Sequence, residues 1–241
     1  MFGRIVRRYD LMNRLMTGGR DAVWRRRAVD LALGEDAGDA PLLDVATGTG
    51  DLALALARAV HGARPVVGVD FAAPMVRAAA AKGRDANVLP SPAVGGGVGG
   101  EGRLAWMIGD ALALPFPDNT FAACTVAFGL RNMADYEAAL REMGRVLRPG
   151  GRLVCLELTP FRRPILGALF GWYFSRVVPI VGGVLSGDRE AYRYLPRSVA
   201  AFPTADALVE LMRQSGLTNV SYRPLGGGTV ALHVGTKEAS P

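Results

Sequence analysis

The chain has 241 residues, half of them apolar, which is enough to bury the core of one α/β domain. Its 28 basic and 22 acidic residues give a formal charge of +6, yet only 21% of the residues are charged and the arginines are scattered. This pattern gives no support to a nucleic-acid partner. Cys124 and Cys155 lie inside apolar runs, and no signal-peptide pattern opens the chain. We expect a single cytoplasmic domain, residues 1–241, without a disulfide or a metal site.

The N-terminal segment, residues 1–30, is expected to be helical because its arginines are interleaved with apolar residues, as on an amphipathic helix. Two interpretations of the basic face are open. We favour a solvated helix face over contact with an anionic membrane surface. The arginines concerned are Arg4, Arg7, Arg8, Arg25, Arg26 and Arg27.

From residue 41 onward, short apolar strands alternate with helical stretches, which predicts a mostly parallel sheet with helices on both faces. The predicted strands are 41–46, 65–70, 104–109, 121–128 and 152–158. The predicted helices are 51–60, 73–82, one that Asp135 caps, and 204–215. Two last strands, near 220–224 and 229–234, flank a glycine-rich turn and predict a C-terminal β-hairpin.

Two segments between these elements have unusual compositions. Residues 91–102 are rich in proline and glycine, which predicts a flexible surface loop. The apolar stretch 165–185 is long enough to cross a bilayer, but Arg176, Pro179 and four glycines interrupt it, which argues against a membrane span. We expect it to belong to a helical cap, residues 160–203, that lines a substrate pocket.

A glycine-rich turn follows the first predicted strand, from Asp44 to Asp51, with Gly48 and Gly50 inside it. Glycines let a ligand approach the main chain, and the turn places backbone N–H groups at the carboxyl edge of the sheet. Asp70 ends the next strand, where a carboxylate can accept hydrogen bonds from both hydroxyls of a ribose. These features suit NAD as well as S-adenosylmethionine.

The third predicted strand ends in Gly109-Asp110-Ala111, which offers a side-chain acceptor and a backbone N–H for the edge of an adenine. Asp110 alone would be typical of a helix N-cap or a turn. Together with Asp70 and the glycine-rich turn, it favours a ligand contact and S-adenosylmethionine as the cofactor.

Several stretches are similar to known methyltransferases. The turn 44–51 and the stretches 114–121 and 145–151 are shared by class I methyltransferases that act on small molecules. Three narrower motifs closely resemble the ubiquinone/menaquinone biosynthesis C-methyltransferase family: Arg8-Tyr9-Asp10-Leu11-Met12-Asn13, Phe128-Gly129-Leu130-Arg131-Asn132 and Tyr192-Arg193-Tyr194-Leu195-Pro196. The resemblance implies a Rossmann-like, class I fold with a seven-stranded, mostly parallel sheet that ends in the C-terminal hairpin.

The glycine-rich turn and the resemblance together indicate the cofactor site. Contacts are expected at Asp44, Gly48, Thr49, Gly50, Asp70, Asp110 and Ala111. The chain departs from the family at Ala127, where some members place a serine that contacts the cofactor. This departure puts only that single polar contact in doubt.

The implied reaction is methylation of a ring carbon of a polyprenylated quinol, which requires an ionised phenol to enrich the adjacent carbon in electrons. Arg131 and Asn132 are the expected catalytic residues, since a fixed cation would stabilise the phenolate and a held water could pass its proton onward. A guanidinium stays protonated in proteins, so Arg131 is not expected to be the base itself. Its alternative role is a surface ion pair with Asp135 or Glu137.

Three aromatic residues, Tyr9, Phe128 and Tyr194, are the expected substrate contacts, although packing in the core or in a lid explains the two tyrosines equally well. The chain is expected in the cytoplasm, with peripheral contact at the inner face of the cell membrane and a homodimer both left open.

The alanine-, arginine- and glycine-rich composition is typical of GC-rich bacterial genomes, which favours demethylmenaquinol as the acceptor. The alternatives are a ubiquinone-pathway benzoquinol, another small phenolic acceptor, or an inactive cofactor-binding subunit of a quinone-synthesis complex.

Overall fold

The computed structural model describes residues 17–34, 38–86, 104–160 and 197–239. The helices that pack around the sheet are α1 (Asp21–Leu33), α2 (Asp51–Ala59), α3 (Ala73–Asp85), α4 (Tyr136–Val146) and α5 (Ala205–Gln214). The strands are β1 (Leu42–Val45), β2 (Val66–Asp70), β3 (Leu104–Ile108), β4 (Phe121–Ala127), β5 (Leu147–Leu158), β6 (Leu217–Leu225) and β7 (Val230–Lys237). Short 3₁₀ turns follow β4 at Leu130–Asn132 and β6 at Gly226–Gly228.

The seven strands form one sheet in the order β3-β2-β1-β4-β5-β7-β6. Strands β1 to β5 run parallel, whereas β7 is antiparallel to both of its neighbours, β5 and β6. The predicted mostly parallel sheet with a C-terminal hairpin is thus confirmed. Because the strand order reverses at β1, between β2 and β4, the connections leave in opposite directions and a crevice opens at the carboxyl ends.

Both faces of the sheet are covered, because neighbouring residues of one strand belong to different cores. Leu42 lies in the core that includes α1 and α2, and Leu43 lies in the core that includes α4 and α5. Successive side chains of a strand point to opposite faces, so a strand covered on both sides is apolar throughout. The polar exceptions in β1 and β4 are Asp44 and Thr125, which are hydrogen-bonded to each other.

Helices α4 and α5 begin at the residues that their sequences predict as caps. Asp135 accepts a hydrogen bond from the Ala138 N–H at 2.9 Å, and Thr204 accepts one from the Ala207 N–H at 3.3 Å. Each cap supplies a partner for a backbone donor that has none within its helix.

Strand β5 begins at Leu147, earlier than the predicted start at Arg152. Leu147 pairs with Phe121, and the register then shifts before Arg152 pairs with Ala123. The Pro-Gly-Gly sequence between Leu147 and Arg152 indicates where the helix stops. Whether this stretch already pairs as a strand depends on β4, its partner. Strand β6 likewise begins at Leu217, before the predicted 220.

The predictions for 91–102 and 165–185 fall outside the described residues, as do residues 1–16 and most of the predicted cap. The division of the chain into one domain with these parts stays a prediction. Within the described ranges, no helix is both long and apolar enough to span a membrane.

Two glycines make room for the side chain of Trp106. Gly50 has a φ of +83°, and a Cβ there would overlap the indole ring, while a Cβ on Gly68 would lie 2.7 Å from the same ring. Carbon atoms do not pack this closely, so both positions require glycine for packing.

We predict that Gly50→Ala destabilises the fold more than Gly62→Ala does. Both glycines have a positive φ, +83° and +72°, so each change costs about 1–2 kcal/mol in backbone strain. Gly62 has open space where a Cβ would lie, whereas Gly50 faces Trp106. Relieving that overlap should cost roughly 1–3 kcal/mol more. Urea unfolding of the two variants measures the difference, and equal losses would show that Trp106 moves aside without strain.

Candidate active site

A cavity of about 290 Å³ opens at the carboxyl ends of β1, β2, β3 and β4. Its walls come from the turns that directly follow these strands, and they include Gly48, Asp70, Asp110, Phe128 and Asn132. Open α/β sheets bind their ligands in this crevice. The fold therefore brings residues of four separate sequence motifs to one site.

A buried carboxylate, Asp44, holds the turn after β1. It is only 1% exposed, and the hydroxyls of Thr47 and Thr125 donate to it at 2.6 and 2.7 Å. Burial raises the pKa of Asp44 to about 6, although both hydroxyl bonds favour the charged form. Ala46 and Gly48 have φ values of +51° and +57°, so the chain turns sharply here.

Asp70, at the end of β2, connects the first two turns. The Gly48 N–H donates to its Oδ2 at 2.8 Å, and the Ala72 N–H donates to its Oδ1 at 2.9 Å. Burial raises the pKa of the Asp70 carboxyl, and the two backbone donors oppose this shift. Each carboxylate oxygen can accept a further hydrogen bond, so both are suited to the hydroxyls of a ribose.

Asp110 and Ala111 lie on the cavity wall after β3. Asp110 Oδ1 also accepts a hydrogen bond from the Leu112 N–H at 2.9 Å, so this residue closes a turn as well as lining the cavity. Phe71, which the sequence does not single out, is 78% exposed and lies on the wall of the same cavity. An exposed ring there can stack on a flat base. The available signal was an aromatic residue directly after the acid that ends β2.

A smaller cleft, here called the side cleft, adjoins the cavity and shares Ala46 and Gly48 with it. The other residues that line it are Arg25, Asp44, Thr47, Thr49, Asp51, Leu52 and Ala127. Three predicted cofactor residues, Asp44, Gly48 and Thr49, therefore line the side cleft, together with Ala127. Gly50 is among the lining residues of neither space, so its observed role is to accommodate Trp106.

Arg131 lies in the 3₁₀ turn after β4, and its side chain is 7% exposed. Its Nη1 donates to Glu157 at 2.7 Å and to the Phe128 carbonyl at 2.5 Å, and its backbone N–H donates to Glu157 at 3.2 Å. The alternative of a surface ion pair with Asp135 or Glu137 is therefore wrong. Arg131 is not among the residues that line the cavity. Its partner Glu157 was not predicted from the sequence, although a lone acid inside an apolar strand indicates a buried ion pair.

Phe128 and Asn132 both line the cavity. Phe128 has a φ of +56°, which is strained for an aromatic residue, and its carbonyl accepts hydrogen bonds from Arg131 and from Asn132 Nδ2, the latter at 3.4 Å. Asn132 Oδ1 and Arg131 Nε are buried and have no hydrogen-bond partner among the described residues. Such atoms are candidates to bond a ligand. The other two predicted substrate contacts, Tyr9 and Tyr194, lie outside the described ranges.

The donors and acceptors of the cavity fit the adenosine part of S-adenosylmethionine. Asp70 offers acceptors for the ribose, and Asp110 with Ala111 offers an acceptor and a donor for the adenine. The loops that follow β1 and β4 approach each other closely at the cavity wall. A Cβ on Gly129 would lie only 2.6 Å from the Cβ of Ala46.

The strand order and the site together define a class I, S-adenosylmethionine-dependent methyltransferase. The glycine-rich turn and the acid after β2 also occur in dinucleotide-binding sheets, but there the sheet order is 3-2-1-4-5-6, without an antiparallel strand inserted next to β5. The model of the ubiE/COQ5 methyltransferase family matches residues 1–237, and the chain belongs to this family.

Similar proteins include two curated relatives of nearly the same length. A demethylmenaquinone methyltransferase of Thermus thermophilus is 49% identical over 98% of this chain and 100% of its own. A ubiquinone/menaquinone biosynthesis C-methyltransferase UbiE of Syntrophotalea carbinolica is 44% identical over 98% of this chain and 92% of its own. The crystal structure of a SAM-dependent methyltransferase from Thermotoga maritima shares the fold, with a TM-score of 0.62 and 19% identity over 98% of both chains.

We predict that Asp44→Asn stabilises the folded chain at neutral pH. Asp44 binds a proton more tightly when folded, with its pKa raised from 3.8 to about 6, so its contribution to stability is lost as the pH rises between these values. The variant should therefore be more stable at pH 7.5, by on the order of 1–3 kcal/mol, and equal to the wild type near pH 3.5.

Urea unfolding at the two pH values measures this effect, with Asp39→Asn at an exposed position as the control. A variant that is less stable than the wild type at pH 7.5 would contradict the prediction.

Proposed function

We propose that this chain methylates a ring carbon of demethylmenaquinol and releases menaquinol, S-adenosylhomocysteine and a proton. The observation that carries the proposal is the 49% identity to a demethylmenaquinone methyltransferase over 98% of this chain and 100% of the relative. A ubiquinone-pathway benzoquinol is the second candidate, since another relative is named for both pathways.

The cofactor, when bound, supplies an electrophilic methyl group on a sulfonium, so the chain must hold and align the two reactants. We assign the ribose hydroxyls to Asp70 and the adenine edge to Asp110 and Ala111. Phe71, which is exposed on the same wall, would stack against the adenine. Ala46 and Phe128 line the cavity where the glycine-rich turn and the loop after β4 meet, and they would hold the part of the cofactor that supplies the methyl group.

The acceptor ring needs a phenolate, and we assign its handling to the loop after β4. Asn132 lines the cavity, and its buried side-chain oxygen can accept a hydrogen bond from the phenol O–H. Arg131 is paired with Glu157, which offsets much of its charge. We therefore assign Arg131 a positioning role: its guanidinium fixes the Phe128 carbonyl and, with it, the strained turn that presents Asn132.

Arg131→Lys should lower the methylation rate by about 10- to 100-fold, because misplacement of a loop by about 1 Å has effects of this size. An ammonium is a flexible point charge and lacks the rigid planar group that holds Nη1 between Glu157 and the Phe128 carbonyl. Steady-state kinetics should show the loss in kcat, with the KM for cofactor little changed. The matched control is Arg141→Lys, because Arg141 forms an exposed pair with Glu137 at 3.6 Å. If both variants keep the wild-type rate, Arg131 does not position the loop.

The oxidation state of the acceptor tests the proposed reaction directly. A quinone ring is electron-poor and has no ionisable phenol, so its carbon should not attack a sulfonium. We expect the purified chain to methylate a short-tailed demethylmenaquinone analogue only when a reductant keeps it as the quinol. The single-turnover rate should rise with pH as the phenol ionises.

The measurement is anaerobic product formation with fully reduced and fully oxidised acceptor, repeated with a benzoquinol analogue. Equal methylation of the oxidised form would refute the mechanism. Preference for the benzoquinol would favour the second candidate, and no product from any acceptor would favour an inactive cofactor-binding subunit.

The polyprenyl tail of such an acceptor resides in the bilayer. We therefore propose that the chain is cytoplasmic and meets its substrate at the inner face of the cell membrane, without crossing it. A homodimer stays a prediction of the sequence analysis.

A further inference from the structure

A groove of about 770 Å³ lies at the carboxyl end of β5, on the same edge of the sheet as the cavity. Residues of α1 line it on one side, and residues of the hairpin of β6 and β7 line it on another. Trp24 of α1 is buried against the glycine turn of this hairpin, since a Cβ on Gly226 would lie 3.1 Å from the indole. The lining residues that matter below are Arg20, Val23, Arg27, Thr159 and Tyr222, and this space is here called the basic groove.

The charged side chains that line the basic groove are both cationic. Within the described part of the chain they are Arg20 and Arg27, which lie about two helical turns apart on α1. Neither has an ion-pair partner among the described residues, so both guanidinium groups can bind an anion. The cavity has the opposite character, because its charged lining residues are the acids Asp70 and Asp110. The basic groove is therefore suited to a different ligand from the cationic cofactor.

The acids next to the groove are engaged by other partners. Asp21, which directly follows Arg20, forms a buried ion pair with Arg25. Asp206, at the start of α5, accepts a hydrogen bond from the Tyr222 hydroxyl at 2.9 Å. Neither acid is among the residues that line the groove, so the two arginines determine its charge.

Thr159, directly after β5, adds a buried hydroxyl to the basic groove. The residue is 9% exposed, and its backbone N–H donates to the Thr229 carbonyl at 3.0 Å. Its Oγ1 has no hydrogen-bond partner among the described residues. A buried polar atom without a partner is costly, so it indicates a ligand that completes the hydrogen bond. A hydroxyl donor beside two guanidinium groups matches the oxygens of a phosphate.

The exposed apolar side chains indicate where such a phosphate comes from. In the described part of the chain, the exposed large hydrophobic residues are Val23, Phe71, Ile108 and Tyr222. Val23 and Tyr222 line the basic groove, whereas Phe71 and Ile108 lie at the carboxyl ends of β2 and β3. Apolar side chains interleaved with arginines are typical of a surface that lies on a membrane, with the cations at the level of the phosphate headgroups.

We propose that the basic groove binds the phosphate headgroup of an anionic phospholipid and thereby docks the carboxyl edge of the sheet onto the membrane. This role rests on the proposed function, because a polyprenylated acceptor has to reach the cavity from the bilayer. The groove and the cavity open on the same edge, so a headgroup in the groove turns the cavity toward the lipid that carries the acceptor. Arg27, which the sequence favours as part of a solvated helix face, then contacts the membrane surface.

Vesicle sedimentation tests the groove without any quinol or cofactor. The probes are vesicles of phosphatidylcholine alone and of an equimolar mixture of phosphatidylcholine and phosphatidylglycerol. We expect the wild type to prefer the anionic vesicles. The double variant Arg20→Gln/Arg27→Gln should bind them about 10- to 30-fold more weakly, since each cation at the surface contributes roughly fivefold. Thr159→Val removes the hydroxyl at nearly constant volume and should weaken binding about threefold.

The matched control is Arg58→Gln/Arg84→Gln, which removes the same charge from two exposed arginines near the ends of α2 and α3. These ends lie away from the carboxyl edge, so vesicle binding should stay within about twofold of the wild type. Equal weakening by both double variants would show a general attraction of charge and overturn the proposal. A wild type without preference for anionic vesicles, or a Thr159→Val variant that binds like the wild type, would overturn it as well. Thermal unfolding confirms that each variant is folded.

Two further measurements separate the remaining explanations. Replacing chloride by inorganic phosphate at equal ionic strength should leave vesicle binding nearly unchanged, because the apolar side chains also hold the bilayer. Release from the vesicles would show a site for a soluble phosphate and overturn the proposal. Arg20→Gln/Arg27→Gln should methylate the short-tailed quinol in solution at the wild-type rate, so failure of docking and failure of the proposed reaction are distinguishable. Loss of that activity in the folded variant would show that the arginines serve the reaction instead.

Discussion

The site depends on the hydrogen bonds that the buried carboxylate of Asp44 accepts. It lies where the strand order reverses, and it accepts hydroxyl bonds from its own turn and from Thr125 in the adjacent strand β4. The carboxyl ends of β1 and β4 are thereby held in a fixed relation, and the cavity opens between the loops that follow them. A charge in this position opposes folding at neutral pH, and sites of function commonly retain such unfavourable groups.

Asp70 extends this constraint to the neighbouring strand. Its two oxygens are held by backbone N–H groups from two different turns, so the acceptors for a ribose are oriented before any ligand arrives. Orientation in advance reduces the entropy lost on binding. The loop after β4 is fixed in the same manner by the Arg131–Glu157 pair, which holds a strained Phe128 in place. In all three arrangements a buried or half-buried acid orients a loop.

Much of the fold could be predicted because strands covered on both faces are apolar without interruption, and this pattern is local in the sequence. The first residues of β5 and β6 could not be predicted, since they depend on how far a partner strand continues to pair. The acids of the cavity were also predictable, because strand-ending residues of parallel strands share one edge. The partner of Arg131 was not predictable, because the contact with Glu157 depends on the register between β4 and β5.

Gly50 shows a related limit. A glycine in a ligand-binding turn suggests close approach of the ligand, but the space beside this glycine is occupied by Trp106 of β3, which the sequence places far away. A glycine at this position can reflect either packing around a rigid indole or the close approach of a ligand. Only the three-dimensional arrangement distinguishes them.

The position of β7 has a consequence for how the chain reaches its native state during synthesis. Strands β1 to β5 are complete once residue 158 has been made, but the outer edge of β5 pairs with β7, at residues 230–237, and not with β6, which precedes β7 in the chain. Until β7 emerges from the ribosome, β5 presents an unpaired edge, which is a site for aggregation. Strand β6 must also wait, because its partner in the sheet is β7. A nascent chain of this topology therefore carries an open sheet edge through the synthesis of roughly its last third, and protection of that edge by a chaperone would be most useful in this interval.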